Sequence, residues 1–282
     1  MTLLNRWLSG SSIYQDYQQF VQTIIEPLFT RLGVDIDVDE PKLDRYARTL
    51  AINLACQAGL PSCLNQTSKK FKEFVAGDAV IAPDLQSAIY CNGLRQGDRT
   101  DYEFLLDKMF ASKNQGERTL IIAAIGCNQD SDILKEFLDL TVQVKGSKMR
   151  LQEKSKILAA PINNGELGLR VLIDFVEKNF EKILEISSPL LNTILTNIAS
   201  RIASEEIYTK FDTLLSQLES FNATTKSKVE THRVTVNNNL RWQSRNLATI
   251  GNWLKNSSGG CARSTVVSMI VMVTCGLIKH VL

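Results

Sequence analysis

Apolar residues recur at steps of three and four along almost the whole of this chain, and that period fits helices and little else. Tyr14, Tyr17, Val21, Ile24, Ile25, Leu28 and Leu32 mark one face of a first long segment, with Ser11 or Ser12 placed to cap it and Gly33 to end it. Pro41 opens the next, whose apolar face reads Leu43, Tyr46, Ala47, Leu50, Leu54 and Ala55 until Gly59 and Pro61 break it. Shorter segments follow near Cys63–Val75, Pro83–Asn92, Arg99–Phe110, Gly116–Ile125 and Ser131–Val142, separated by turn residues. Further amphipathic stretches lie near Leu151–Ala160, Gly165–Asn179, Pro189–Ala199, Glu205–Leu218 and Thr225–Trp253. No run alternates with period two; Val234-Thr235-Val236 is too short and sits inside a helical pattern. Short helix pairs in tandem predict an all-α chain, and more finely an irregular α-solenoid of HEAT- or armadillo-like hairpins rather than a compact bundle.

Several function classes are excluded early. A net charge of +2 gives no basic excess for a dedicated nucleic-acid binder. The chain has two histidines, His232 and His280, so the two-histidine turn of an H-E-x-x-H zinc site is not there. The glycine-rich phosphate and dinucleotide loops, the G-x-S-x-G nucleophile turn and C-x-x-C pairs are absent as well.

Four of the six cysteines, Cys56, Cys63, Cys91 and Cys127, fall in the helical part; Cys261 and Cys275 fall in the tail. Four cysteines allow three pairings, and spacing alone leaves both disulfides and free buried thiols open. Asn65, Asn222 and Asn256 head N-x-[ST] sequons; Asn65 and Asn222 are the glycosylation candidates.

Composition changes at Asn256. A small polar cluster, Asn256 to Gly260, and a polar spacer, Cys261 to Ser264, precede the apolar run Val266 to Ile278 and a last Lys279-His280-Val281-Leu282. That order is the pattern of a glycolipid (GPI) attachment signal, with Asn256, Ser257 and Ser258 as attachment candidates. A tail-anchored helix and a buried terminal helix are the alternatives, since the run is short for a membrane span. The division expected is a helical domain at 1–255 and an anchor tail at 256–282. Met1 to Leu8 carries no signal-peptide pattern.

An ordered set of motifs then carries a resemblance. Ala51-Ile-Asn-Leu-Ala-Cys56 through Gly59 to Cys63-Leu64 comes first, then Pro83 to Cys91, Gly97 with Tyr102, Phe104 and Leu105, and Glu117 to Cys127. Asn164-Gly165, Asp174 to Asn179, Asn239-Leu-Arg-Trp242, Asn246, Ile250 and Trp253-Leu254 follow. Together, from about Leu4 to Leu254, they resemble the C-terminal helical domain of the aminopeptidase N family of zinc metallopeptidases, a domain shared with the endoplasmic-reticulum aminopeptidases. Tyr102 stands where the family often has Trp, and Ile173 where it usually has an aromatic residue.

The resemblance implies Cys56–Cys63 and Cys91–Cys127 disulfides, an α-solenoid, and a GPI tail after the domain, as in gut members of the family. It implies that the catalytic domain, with its G-A-M-E-N loop, H-E-x-x-H and further Glu ligand, lies outside this chain, as do the first helices of the helical domain. No catalytic or metal residue is therefore carried over to any position here, and zinc belongs to the complete family enzyme. The expected role is a cap over the active-site chamber of a membrane-bound aminopeptidase at the cell surface, acting on peptide substrates. Arg170, Arg201, Arg241 and Arg245 are candidate peptide contacts, against the plainer reading of solvated helix faces. Pairing with a full-length relative, as a homo- or heterodimer, is a possible partnership. The alternative function is a catalytically inactive surface protein used as a helical binding or dimerisation module; a third is a cytosolic helical scaffold with reduced thiols.

Overall fold

A computed structural model describes residues 2–37, 39–143, 149–221 and 226–257. Among these the chain is helical and has no strand. The helices are α1 (Thr2–Leu8), α2 (Tyr14–Leu32), α3 (Lys42–Gln57), α4 (Pro61–Ala76), α5 (Pro83–Arg95), α6 (Arg99–Ala111) and α7 (Gln115–Ile125). They continue as α8 (Ser131–Asp139), α9 (Leu151–Ala159), a 3-10 turn (Ala160–Asn164), α10 (Gly165–Ile186), α11 (Ser188–Ala199), α12 (Glu205–Phe221) and α13 (Lys226–Ser257).

Local chemistry sets many of these boundaries. Pro61 and Pro83 open α4 and α5, where a missing N–H costs nothing because the first turn has no acceptor for it. Asp98, Asn114 and Asp130 cap α6, α7 and α8: Asn114 Oδ1 accepts from the Gly116 and Glu117 N–H groups at 2.8 and 3.3 Å, and Asp130 Oδ1 accepts from Asp132 N–H at 2.7 Å. Gly77, at φ 86°, ends α4 in the left-handed conformation that glycine adopts freely. The helix expected to be capped by Ser11 or Ser12 instead starts at Tyr14. Its N-cap is Ile13, with no side-chain cap, because Ser11 turns the chain through its carbonyl, 3.1 Å from Tyr14 N–H.

Helices adjacent in sequence pack against each other, α2 on α3, α4 on α5, α6 on α7, α10 on α11 and α12 on α13. Alternate helices also touch, α3 with α5, α5 with α7, α8 with α10 and α10 with α12. One continuous core runs from α2 to the start of α13, centred on Phe71, Tyr90, Tyr102, Phe137 and Phe211. A smaller core, Leu8, Tyr17, Val21, Ala58, Ile250 and Leu254, is formed where α13 returns to the first helices. Gln243 Nε2 donates to Trp7 O at 2.6 Å across 236 residues, and the Trp7 and Trp242 rings meet at 4.3 Å. The first and last described helices therefore support each other.

The apolar face read for α3 is only half right. Ala51, Ala55 and Cys56 are buried as part of that helix, but so are Ile52 and Arg48, whereas Leu43, Tyr46 and Leu50 are 80, 75 and 58 % exposed. Arg48 takes the inward place because its guanidinium serves the end of α2: Nε donates to Leu32 O at 2.9 Å, and Nη1 pairs with Glu40. A helix C-terminus leaves carbonyls without partners, and a buried guanidinium satisfies one of them.

Candidate functional site: a basic cleft beside the first helix

A cleft of about 290 Å³ opens where α1, the end of α3, the 3-10 turn with α10, and the α11–α12 connection meet. Its polar rim is Asn5, Arg6, Ser9, Gln57, Glu166 and Arg201; its apolar part is Ile162, Leu169, Ala203 and Ile207. Four segments distant in sequence thus place polar groups around one space. A wider, more open groove of about 990 Å³ runs along α12 from Glu205 to Phe221, but its floor is essentially one helix face. Its Asp212 is neutralised by Arg233 at 2.6 Å.

Each wall of the small cleft has a structural cause. Gly165, at φ +68°, turns the chain from the 3-10 turn into α10. Gly168 then lets α10 lie directly against that turn, because a Cβ there would overlap the Pro161 carbonyl oxygen. The Glu166 carboxylate rests against Gly10, where a Cβ would meet its Oε1. Asn239 of α13 fixes the opposite wall: its Nδ2 donates to Ala199 O at 3.1 Å and to Ile202 O at 3.0 Å, holding the turn that carries Arg201. The Arg201 guanidinium donates to Asn197 O and Ser200 Oγ, both at 3.3 Å.

The charged groups of the cleft are Arg6, Arg201 and Glu166. Burial and, secondarily, Arg6 lower the Arg201 pKa. Guanidinium groups such as these are planar donors suited to a carboxylate or phosphate. Glu166 does not neutralise the site alone. It lies 3.9 Å from Arg170, which is also bound by Glu206 at 2.8 Å.

Of the four arginines picked from the sequence, Arg201 alone lines this cleft. Arg170 is tied to Glu206 and Glu166, and Arg241 and Arg245 are exposed on α13. Arg6 was missed. It lies in a seven-residue helix, too short to show a periodic pattern.

The remaining sequence candidates are placed as follows. Cys56–Cys63 and Cys91–Cys127 are both disulfide-bonded, each with Cα atoms 5.3 Å apart. Asn65 is exposed on α4, while Thr67 of its sequon is buried and donates to Cys63 O at 2.8 Å. Asn222 and Ser258 lie outside the described residues; Asn256 and Ser257 close α13, with Asn256 exposed. Among the described residues no helix is long and apolar enough to cross a membrane, and the apolar run 266–278 lies outside them.

Among the described residues no group of three or more His, Cys, Asp or Glu is placed to hold a metal ion. The cleft offers two guanidiniums and a single carboxylate, a donor set that does not fit zinc. His232 is buried in α13 with no hydrogen-bond partner at Nε2, and burial lowers its pKa.

The ERAP1-like C-terminal domain family matches residues 1–234. Aminopeptidase N of Plutella xylostella is 27 % identical over 279 residues, covering 98 % of this chain and 29 % of that protein. Human aminopeptidase N is 22 % identical over 259 residues and the Bos taurus protein 24 % over 267, each alignment covering 88 % of this chain and 26 % of the relative. The chain thus spans under a third of the length of these relatives. With the match extending over most of the helical chain, this protein belongs to the ERAP1-like C-terminal domain family.

Proposed function

We propose that this chain is the capping domain of a membrane-bound zinc aminopeptidase that removes N-terminal residues from peptides, with the catalytic groups supplied elsewhere. The family match over residues 1–234, with relatives of which it covers about a quarter, carries this reading. In such an enzyme the zinc ion activates water and polarises the peptide carbonyl. This chain's own residues shape the chamber and hold the far end of the peptide. Arg6 and Arg201 take its terminal carboxylate, and Ile162, Leu169 and Ile207 take the last side chain.

Several finer features belong to the same proposal. The hairpins stack as an irregular α-solenoid, supported by the neighbour and alternate-helix contacts described above. The helical domain occupies 1–255 and the anchor tail 256–282, with α13 running two residues past that boundary. The tail is a GPI signal with attachment at Asn256, Ser257 or Ser258, which places the protein on the cell surface. Asn65 and Asn222 carry glycans there, and the exposed Leu43, Tyr46 and Leu50 give α3 an apolar face for a homo- or heterodimer contact.

The test is a binding comparison. A labelled hexapeptide with a free C-terminal carboxylate is titrated against the purified chain beside its C-terminal amide. The carboxylate form is expected to bind at least about tenfold more tightly, as a charge-assisted contact requires. Arg6→Ala and Arg201→Ala should each remove most of that ratio, and Arg201→Lys should restore part. Equal binding of acid and amide to the unmodified chain would contradict the assignment.

A further inference from the structure

The two disulfides differ in what can reach them. Cys56 and Cys63 are 1 % and 0 % exposed, while Cys91 and Cys127 both keep accessible surface. Thiol–disulfide exchange needs direct access of an attacking thiolate to sulfur, so the second bond is the addressable one.

That bond also stands behind the cleft. Cys127 lies in the turn after α7, and this turn is packed onto the 3-10 turn. A Cβ on Gly126 would overlap the Ala160 carbonyl group. Asn128, fully buried, joins three elements: its Nδ2 donates to Leu94 O at 3.3 Å, on the helix that carries Cys91, and its carbonyl accepts from Asn164 Nδ2 at 2.5 Å. Gln129 Nε2 donates to Asn164 Oδ1, also at 2.5 Å. Asn164 immediately precedes Gly165 and Glu166, which line the cleft. A path of short bonds therefore runs from the Cys91–Cys127 bridge through Asn128 and Asn164 to one wall of the site.

We propose that the Cys91–Cys127 disulfide is a thiol-addressable tether whose opening loosens the 160–166 wall of the cleft. The consequence for ligand, weaker carboxylate binding, rests on the reading of the cleft given above. A small-molecule thiolate attacks one sulfur, and the S–S bond breaks. The displaced cysteine leaves as thiolate and takes up a proton. A second small thiol resolves the mixed disulfide, so that two cysteine thiols and one external disulfide are formed.

The experiment uses the full chain with dithiothreitol at graded concentration, N-ethylmaleimide capture read on separated peptides, and amide deuterium exchange. Cys91 and Cys127 are expected to be captured at least about tenfold faster than Cys56 and Cys63, as exposure dictates. Exchange at amides 160–166 should rise while that in α12 stays unchanged. The double variant Cys91→Ser with Cys127→Ser should show the same local rise without reductant. Equal capture of both pairs overturns the proposal. So does unchanged exchange at 160–166 after capture, or a rise spread equally through α12. Exchange needs no peptide, so a cleft that binds no carboxylate would leave this result standing and remove only its consequence.

Discussion

Replacing Glu153 by alanine is expected to destabilise the chain by about 3–5 kcal/mol, the range for breaking a buried ion pair on one side. Glu153 is 1 % exposed, and each of its carboxylate oxygens has a separate task. Oε1 accepts from Arg118 Nε at 2.6 Å and from Gln115 Nε2 at 3.4 Å, joining α9 to α7. Oε2 accepts from Arg150 N–H at 3.0 Å and so caps the first turn of α9. Alanine leaves the Arg118 guanidinium 12 % exposed with no carboxylate and α9 uncapped. Urea unfolding should read this as a midpoint lower by about 1–2 M, given the slope expected for a chain of this size. A midpoint unchanged within error would mean that the pair is not formed.

The pH dependence of that loss has a definite sign. Burial alone would raise the Glu153 pKa, but the Arg118 bond, the Arg150 N–H and Gln115 outweigh it and hold the carboxyl below its ordinary 4.5. A carboxyl with a lowered folded pKa contributes stability that is fully present above the unfolded value. That contribution is lost as pH falls through the lower, folded one. The gap between the native chain and Glu153→Gln should therefore be constant above about pH 5 and close progressively below it.

Gly168→Val is expected to be as damaging or worse, with a loss of about 4 kcal/mol or more, or no folded product. The added Cβ would overlap the Pro161 carbonyl oxygen, which is backbone and has nowhere to go. On its other side the 3-10 turn is held by Gly126, packed on Ala160, and by the Asn128–Asn164 bond. Interiors at crystalline packing density absorb such an overlap only by moving a whole element. The measurement is the thermal midpoint together with soluble yield; a midpoint within about 2 °C of the native one would contradict this packing, since a loss of about 4 kcal/mol moves it by roughly 7 °C in a chain of this size.

What the sequence made legible follows from how each signal arises. Helix periods and the proline and glycine breaks are local, and α4, α5 and α7 begin and end within a few residues of where the pattern put them. Arg48 shows where that logic stops. A positive charge reads as solvated, yet the side chain is buried because it serves a carbonyl of another helix, a partnership invisible in spacing. Leu43, Tyr46 and Leu50 fail in the opposite sense: they keep helical period but the described residues put nothing over them. The cleft was the least legible feature. Arg6 and Arg201 are 195 positions apart by their numbering and line one cleft where α13 folds back on α1 through Gln243 and Trp242. No one-dimensional pattern encodes that return.

The proposal that this chain caps a catalyst supplied elsewhere is tested most directly by a rate. The purified chain is incubated with alanine p-nitroanilide and added zinc, with and without a chelator, and p-nitroaniline release is followed. The account predicts a rate equal to the protein-free blank in both arms; release above the blank that the chelator abolishes would contradict it.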